Sequence, residues 1–113
     1  MELVNDIYRL KEVVENNELS LIYIKAPDCG LCSIMFDKID ALCRRFDRLA
    51  TACVELHVVP HVAGEFLVAT APTVLLFANG KEVHRQGTFI NMQELEHVLT
   101  RWYENITLSP LYC

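Results

Sequence analysis

The sequence lacks a long apolar run, an excess of basic side chains, and any linker, repeat or low-complexity stretch. Its longest clean apolar run, at 74–78, is far shorter than the roughly 20 residues that span a bilayer. Residues 1–6 are acidic where an export signal is basic, and no apolar segment follows them. With 10 Lys and Arg against 15 Asp and Glu, the chain offers nucleic acid no basic surface. We therefore expect no membrane insertion, no export and no nucleic-acid partner.

The length and the hydrophobic content of the chain predict one packed domain over residues 1–113. Of the 113 residues, 52% are hydrophobic, which is enough to build a core without disulfide staples. The five cysteines are an odd number, and in a chain without an export signal this favours a reducing cytoplasm. Any disulfide is therefore expected to be catalytic rather than structural.

Apolar spacing predicts the elements of the first half of the chain. Side chains that recur at three- and four-residue steps predict helices at 3–14 and 35–49. Between them, the short run 20–25 is rich in Ile, Leu and Tyr and predicts a strand buried on both faces. Residues 52–59 predict a further strand, and residues 62–68 a short helix.

Turn and cap signals place the remaining elements. Asn79-Gly80 between two β-prone runs predicts a hairpin. Residues 92–102 carry a helical apolar stripe, which we expect Asn91 to cap, with Glu94 three residues later. The resulting order, α-β-α-β-α-β-β-α, predicts an α/β fold with a mixed four-stranded sheet and helices on both faces.

Cys29 and Cys32 are separated by two residues at the junction of a predicted strand and a predicted helix. Such a pair is used either as half of a zinc site or as a dithiol that cycles with a disulfide. At the first turn of a helix, unpaired N–H groups and the helix dipole favour the thiolate of Cys29. Cys32, one turn further on, is close enough to attack a mixed disulfide at Cys29. Such a dithiol needs no organic cofactor, because the electrons reside in the sulfurs.

Two other uses of the pair stay open from the residues alone. His57 and His61 have the H-x3-H spacing that, with Cys29 and Cys32, would complete a tetrahedral zinc site. The gap between the cysteine pair and His57 is nevertheless longer than in common zinc fingers. Alternatively, both cysteines are small buried hydrophobes without chemistry, which their loop-to-helix position disfavours.

The chain resembles the thioredoxin family over about residues 6 to 105. As in that family, an Ala-Pro-Thr segment precedes a buried strand, a hairpin follows that strand, and a glycine follows the last strand. The segments that carry the resemblance are Cys29-Gly30-Leu31-Cys32, Ala71-Pro72-Thr73, Val74-Leu75-Leu76-Phe77, Asn79-Gly80-Lys81 and Gly87.

The resemblance implies a thioredoxin-like fold and thiol–disulfide oxidoreductase activity without a bound cofactor. It makes Cys29 the nucleophile and Cys32 the resolving thiol. It also implies a cis peptide bond before Pro72, where the backbone of Ala71 pairs with an extended substrate. The implied partners are disulfide-bearing proteins and, as electron donor, a flavoprotein reductase or a similar protein. A rival interpretation is an adaptor that keeps the dithiol but uses the groove at Pro72 to hold a partner.

Four departures from the family surround the cysteines. Asp28 stands where thioredoxins usually carry Trp, and Gly30-Leu31 replaces Gly-Pro. Tyr23 falls at the position of the family's buried acid, and Lys25 replaces an aromatic residue two positions later. These departures leave the type of chemistry in place but leave its rate and direction open.

Each departure carries an expectation. The charge of Asp28 disfavours a neighbouring thiolate, and the ammonium of Lys25 offsets this effect if it reaches the site. Neutral Tyr23 is a poor proton acceptor, which leaves Glu55 on the next strand as a candidate acid. Because Leu31 lacks the rigidity of proline, we predict a couple less reducing than thioredoxin, whose potential is about −270 mV.

The remaining cysteines and histidines are expected to take no part in the chemistry. Cys43 and Cys53 fall on predicted helix and strand positions and are expected to be packing residues. Cys113 ends the chain and is expected to be exposed. His84 and His97 are expected on the surface of a strand and of a helix.

Overall fold

A computed structural model describes residues 1–108, with side chains to residue 106. The elements follow in the order β1 Glu2–Val4, α1 Ile7–Glu15, β2 Leu19–Lys25, α2 Gly30–Cys43, β3 Ala50–Glu55, α3 His61–Glu65, β4 Thr73–Ala78, β5 Lys81–Gly87 and α4 Met92–Leu108. Within the described range the five strands form one sheet in the order β1-β3-β2-β4-β5. None of the helices in residues 1–108 is both long and apolar enough to cross a bilayer.

The central strand β2 is buried on both faces, as predicted. Its side chains alternate between two core clusters: Leu21 and Tyr23 pack with residues of α2 and α4, whereas Ile22 and Ile24 pack with residues of α1 and α3. β1, β3 and β2 run parallel, while β4 is antiparallel to β2 and β5 is antiparallel to β4. The mixed sheet with helices on both faces is therefore confirmed.

The first strand corrects two predictions, the four-stranded sheet and the start of the first helix. Helical spacing predicts Leu3 and Val4 inside that helix, but the structure places both in β1, parallel to residues 52–54 of β3. The helix begins only after Asp6, whose carboxylate accepts a hydrogen bond from the backbone N–H of Arg9 at 2.8 Å. A three-residue strand offers too few positions for its two-residue alternation to stand out against a helical pattern.

The hairpin and the cap of the last helix are confirmed, while three predicted boundaries are wrong. Asn79 and Gly80 join β4 to β5 with φ angles of 51° and 81°, the left-handed pair that a two-residue hairpin turn requires. The Asn91 side chain accepts a hydrogen bond from the Glu94 N–H at 3.0 Å. The helix predicted at 35–49 ends already at Cys43, and β3 and α3 also end earlier than predicted, at Glu55 and Glu65.

Candidate active site at the start of α2

The two cysteines of the pair lie at the start of α2 and are joined by a disulfide. Cys29 is the N-cap residue, Cys32 lies in the first turn, and their Cα atoms are 5.3 Å apart. The Cys32 N–H donates to the Cys29 carbonyl oxygen at 3.1 Å. Cys32 is only 3% exposed, whereas Cys29 is half-buried. An incoming group therefore reaches Cys29 first, and Cys32 is shielded behind it.

The loop between β2 and α2 sets the surroundings of Cys29. Asp28 has a φ of 57°, in the left-handed region that Asp tolerates better than most residues, and it is exposed directly before the cysteine. On the other side Gly30 is exposed, and Leu31 is 43% exposed. The surface next to Cys29 thus presents one carboxylate and one apolar side chain, where the family usually has Trp and Pro.

Tyr23 connects the central strand to the cysteine-bearing turn. Its hydroxyl donates to the Cys32 carbonyl oxygen at 2.7 Å, and the residue is fully buried. Burial, with a smaller contribution from neighbouring Cys53, raises the pKa of Tyr23 to about 12. The phenol is therefore neutral at physiological pH. At the position of the family's buried acid this chain holds a hydrogen-bond donor, not a proton acceptor.

An open cleft of about 450 Å³ lies against the disulfide. The parallel register sets Lys25 of β2 opposite Glu55 of β3, and both line this cleft together with Asp28 and the two cysteines. The remaining lining residues are Ala26, Pro27, Ser33, Phe36 and Asp37. Lys25, Asp28 and Glu55 thus line the same cleft as the disulfide. Glu55 must lie there if it is to replace the family's buried acid.

Asp37 is a lining residue of this cleft that the sequence reasoning missed. It lies on α2, four positions after Ser33, which also lines the cleft. The signal was present in the sequence, because residues four positions apart share a side of the helix. With Asp37 the cleft holds three carboxylates against the single ammonium of Lys25.

The segment before β4 reaches the same end of the sheet as the disulfide. The antiparallel register pairs Ile24 with Thr73, so the end of β2 and the start of β4 are neighbours. The Ala71–Pro72 peptide bond is cis, which confirms that prediction. The Pro72 carbonyl accepts a hydrogen bond from the Thr88 N–H at 2.8 Å. Ala71 lies two residues before Thr73, where the pairs of β4 with β2 and β5 begin.

Gly87 at the end of β5 is closely packed, as the resemblance implies. A Cβ atom added there would lie 3.3 Å from both Thr70 Oγ1 and Thr73 Oγ1. The Thr73 hydroxyl in turn donates to the Thr70 carbonyl at 2.7 Å. The glycine therefore lets β5 approach the Pro72 segment closely.

The zinc alternative finds no geometric support in the part of the chain that the structure describes. Cys29 and Cys32 are bonded to each other, and His57 and His61 are both exposed. No three His, Cys, Asp or Glu side chains among residues 1–108 are grouped so that they could hold a metal ion.

The other two described cysteines are buried and free, as expected for packing residues. Burial is the main cause that raises the pKa of Cys43 to about 12, and it raises the pKa of Cys53 as well. Both are therefore neutral thiols at physiological pH, the unreactive form. Cys113 lies outside the described residues. His97 is exposed, and His84 is half-buried.

The half-buried Cys29 is bonded to the buried Cys32 where a central strand is followed by a helix, and a cis-proline segment lies at the same end of the sheet. This arrangement is typical of thiol–disulfide oxidoreductases of the thioredoxin fold. The family model described as Thioredoxin matches residues 3–101. The chain therefore belongs to the thioredoxin family.

Individual relatives agree with this assignment. The thioredoxin-like protein YdfQ of Bacillus subtilis is 28% identical over 100 residues, which cover 88% of this chain and 89% of that protein. Thioredoxin H2 of Arabidopsis thaliana is 32% identical over 74 residues, which cover 66% of this chain and 56% of that protein. Among solved structures, the thioredoxin of Fasciola hepatica matches with a TM-score of 0.80 and 26% identity, covering 89% of this chain and 98% of that one.

Proposed function

We propose that this chain reduces or exchanges disulfides in other proteins through Cys29 and Cys32, in a reducing cytoplasm and with a reductase as electron donor. The observation that carries the proposal is the unequal exposure of the two cysteines. Cys29 is partly exposed and lies at a helix N-terminus, which stabilises a thiolate. Cys32 is buried and lies one helical turn further on. This asymmetry suits a cycle in which one sulfur attacks and the other resolves.

The cycle begins with the reduced pair. The Cys29 thiolate attacks one sulfur of a substrate disulfide, the substrate S–S bond breaks, and the first substrate thiolate leaves. Cys32 then loses its proton and attacks the Cys29 sulfur. The Cys29–Cys32 disulfide forms, the bond to the substrate breaks, and the second substrate thiolate leaves. Two electrons have moved to the substrate, and the donor returns them by the reverse exchange.

The segment at Pro72 supplies the binding site in this proposal. In this proposal the backbone of Ala71, just before the first β4 pairs with β2 and β5, pairs with an extended substrate segment, which gives affinity with little dependence on the substrate sequence. Leu31, 43% exposed between the cysteines, adds an apolar contact.

An adaptor that binds a partner without turnover is the second candidate. Neutral Tyr23 at the position of the family's buried acid favours it, because no proton acceptor stands there to help Cys32 resolve an adduct. An adaptor would use the same backbone edge at Ala71 but would release no thiols.

Insulin reduction by dithiothreitol separates the two candidates. We expect the chain to accelerate insulin precipitation above the rate with dithiothreitol alone. Cys29→Ala should remove this acceleration, by roughly 100-fold or more, because the attacking sulfur is gone. Cys43→Ala is the matched control: it deletes a buried thiol from the same helix and should keep the activity. A wild-type rate no higher than with dithiothreitol alone, or full activity in Cys29→Ala, would contradict the proposal.

A further inference from the structure

The first turn of α2, which carries both cysteines, has few of the local interactions that usually stabilise the start of a helix. Cys29 caps α2 without a side-chain hydrogen bond, and the first turn contains no acidic residue to oppose the helix dipole. Gly30 follows, exposed and with open space where a Cβ would lie. Glycine inside a helix gives the backbone more freedom than any other residue. When the disulfide is reduced, the covalent tie across this turn is lost as well.

Tyr23 ties this turn to the centre of the sheet. It lies in β2 between Cys53 of β3 and Val74 of β4, so its backbone is held on both sides. Its ring packs against Phe36 of α2, with the ring centroids 6.0 Å apart. From this fixed position its hydroxyl donates to the Cys32 carbonyl at 2.7 Å. The bond therefore joins the residue that resolves the adduct to the central strand, which is paired on both sides.

The hydroxyl bonds the backbone of Cys32, and its neutral state at physiological pH means that it donates a hydrogen bond without accepting a proton. Its contribution is thus geometric. It differs from the acid–base role that a carboxylic acid at this position would have.

We propose that Tyr23 is a positioning residue, which through its hydrogen bond to the Cys32 carbonyl holds the Cys32 sulfur ready to attack the mixed disulfide at Cys29. This inference rests on the proposed function. In the step concerned, Cys32 gives its proton to solvent and forms a bond to the Cys29 sulfur, the bond between Cys29 and the substrate sulfur breaks, and the leaving thiolate takes the electron pair. Positioning raises the rate of such an internal attack because it fixes the two reacting sulfurs relative to each other.

The test measures the two steps separately with 5,5′-dithiobis(2-nitrobenzoic acid) and the reduced chain in a Cys113→Ser background, which removes the terminal thiol. The first equivalent of thionitrobenzoate reports attack by Cys29, and its rate of release depends on the reagent concentration. The second equivalent reports resolution by Cys32, and its rate of release does not depend on that concentration. In Tyr23→Phe we expect the first rate to be unchanged and the second to fall about three- to tenfold, the effect of one hydrogen bond. The shape of the pH profile of the second rate should stay the same.

Tyr103→Phe is the matched control. It also deletes a phenol that donates a hydrogen bond, here to Asp47, and it lies on α4 outside the cleft. Both rates should equal those of the parent. Equal second rates in Tyr23→Phe and the parent would overturn the inference, and so would an equal slowing of both steps, which indicates a role in the fold alone. A changed pH profile of the second rate would also overturn it, since Tyr23 would then handle the proton. If the parent released no thionitrobenzoate, the proposed function itself would fail.

Discussion

Cys32→Ser should convert the chain from a catalyst into a trap that stays covalently bonded to its substrate. Cys29 would still attack, because it remains partly exposed at the helix N-terminus. The adduct could not be resolved internally, because the hydroxyl that replaces the buried thiol cannot displace a thiolate from sulfur. We expect the mixed disulfide formed with an intact insulin disulfide to persist until an external thiol is added, and turnover to fall by roughly 100-fold or more.

Intact mass spectrometry after mixing with insulin checks this result. All variants carry Cys113→Ser, which removes the terminal thiol. The Cys32→Ser chain should carry one insulin molecule through a mixed disulfide, and dithiothreitol should remove it. The double variant Cys29→Ser with Cys32→Ser is the matched control and should carry none. Adducts in the double variant, or normal turnover by Cys32→Ser, would contradict the assigned order of attack.

The second large effect concerns stability at alkaline pH. Burial, and next the negative charge of Asp40, raise the pKa of Cys43 to about 12, against a smaller opposing effect of the N-terminal ammonium. In the unfolded chain this thiol ionises near its ordinary value of 9.0, so above that pH the unfolded state binds fewer protons than the folded state. Stability is therefore fully present below about pH 9 and is lost as the pH rises towards 12, by about 1.4 kcal/mol per unit from this group alone.

Urea unfolding at pH 7, 9, 10 and 11, with the thiols kept reduced, measures this loss. Cys43→Ala removes the titrating group, so its free energy of unfolding should fall less steeply above pH 9, by about 1.4 kcal/mol per unit. Between pH 7 and 8 both chains should show the same pH dependence, because the thiol is neutral in both states there. Tyr23 adds a similar loss only above pH 10, in both chains. Parallel curves for the two chains from pH 9 to 11 would show that the Cys43 thiol is not kept neutral by the fold.

These buried thiols also bear on function. Of the described cysteines, only Cys29 and Cys32 lie at the cleft, while Cys43 and Cys53 stay protonated and inside the core. The fold thereby separates the two reactive sulfurs from two inert ones. Among the described cysteines, exchange is thereby confined to the cleft.

The features that could be predicted from the sequence have local signals. Asn79-Gly80 specifies its turn through its own backbone preferences, and the Cys29–Cys32 spacing fits one helical turn. β1 could not be predicted in this way, because its strand identity comes from pairing with β3 some fifty residues later. Its three residues have no intrinsic pattern that excludes a helix.

The residues of the site could be predicted from the sequence, but the contacts between them could not. The position of Tyr23 could be read from the resemblance, and so could its unsuitability as a base. Its hydrogen bond to the Cys32 carbonyl depends on how α2 packs over β2, which a one-dimensional pattern does not contain. The same holds for the cleft that gathers Lys25, Asp37 and Glu55 from three elements.

Redox titration of the pair tests the central claim most directly. The chain is equilibrated in glutathione buffers of graded potential, quenched with acid, alkylated and analysed by peptide mass spectrometry. The account predicts one two-electron transition confined to the peptide that contains Cys29 and Cys32, at a potential less negative than the value of about −270 mV typical of thioredoxin. A midpoint at or below that value would contradict the effect assigned to Leu31. A pair that forms no disulfide at any potential would contradict the claim that this chain is a thiol–disulfide oxidoreductase.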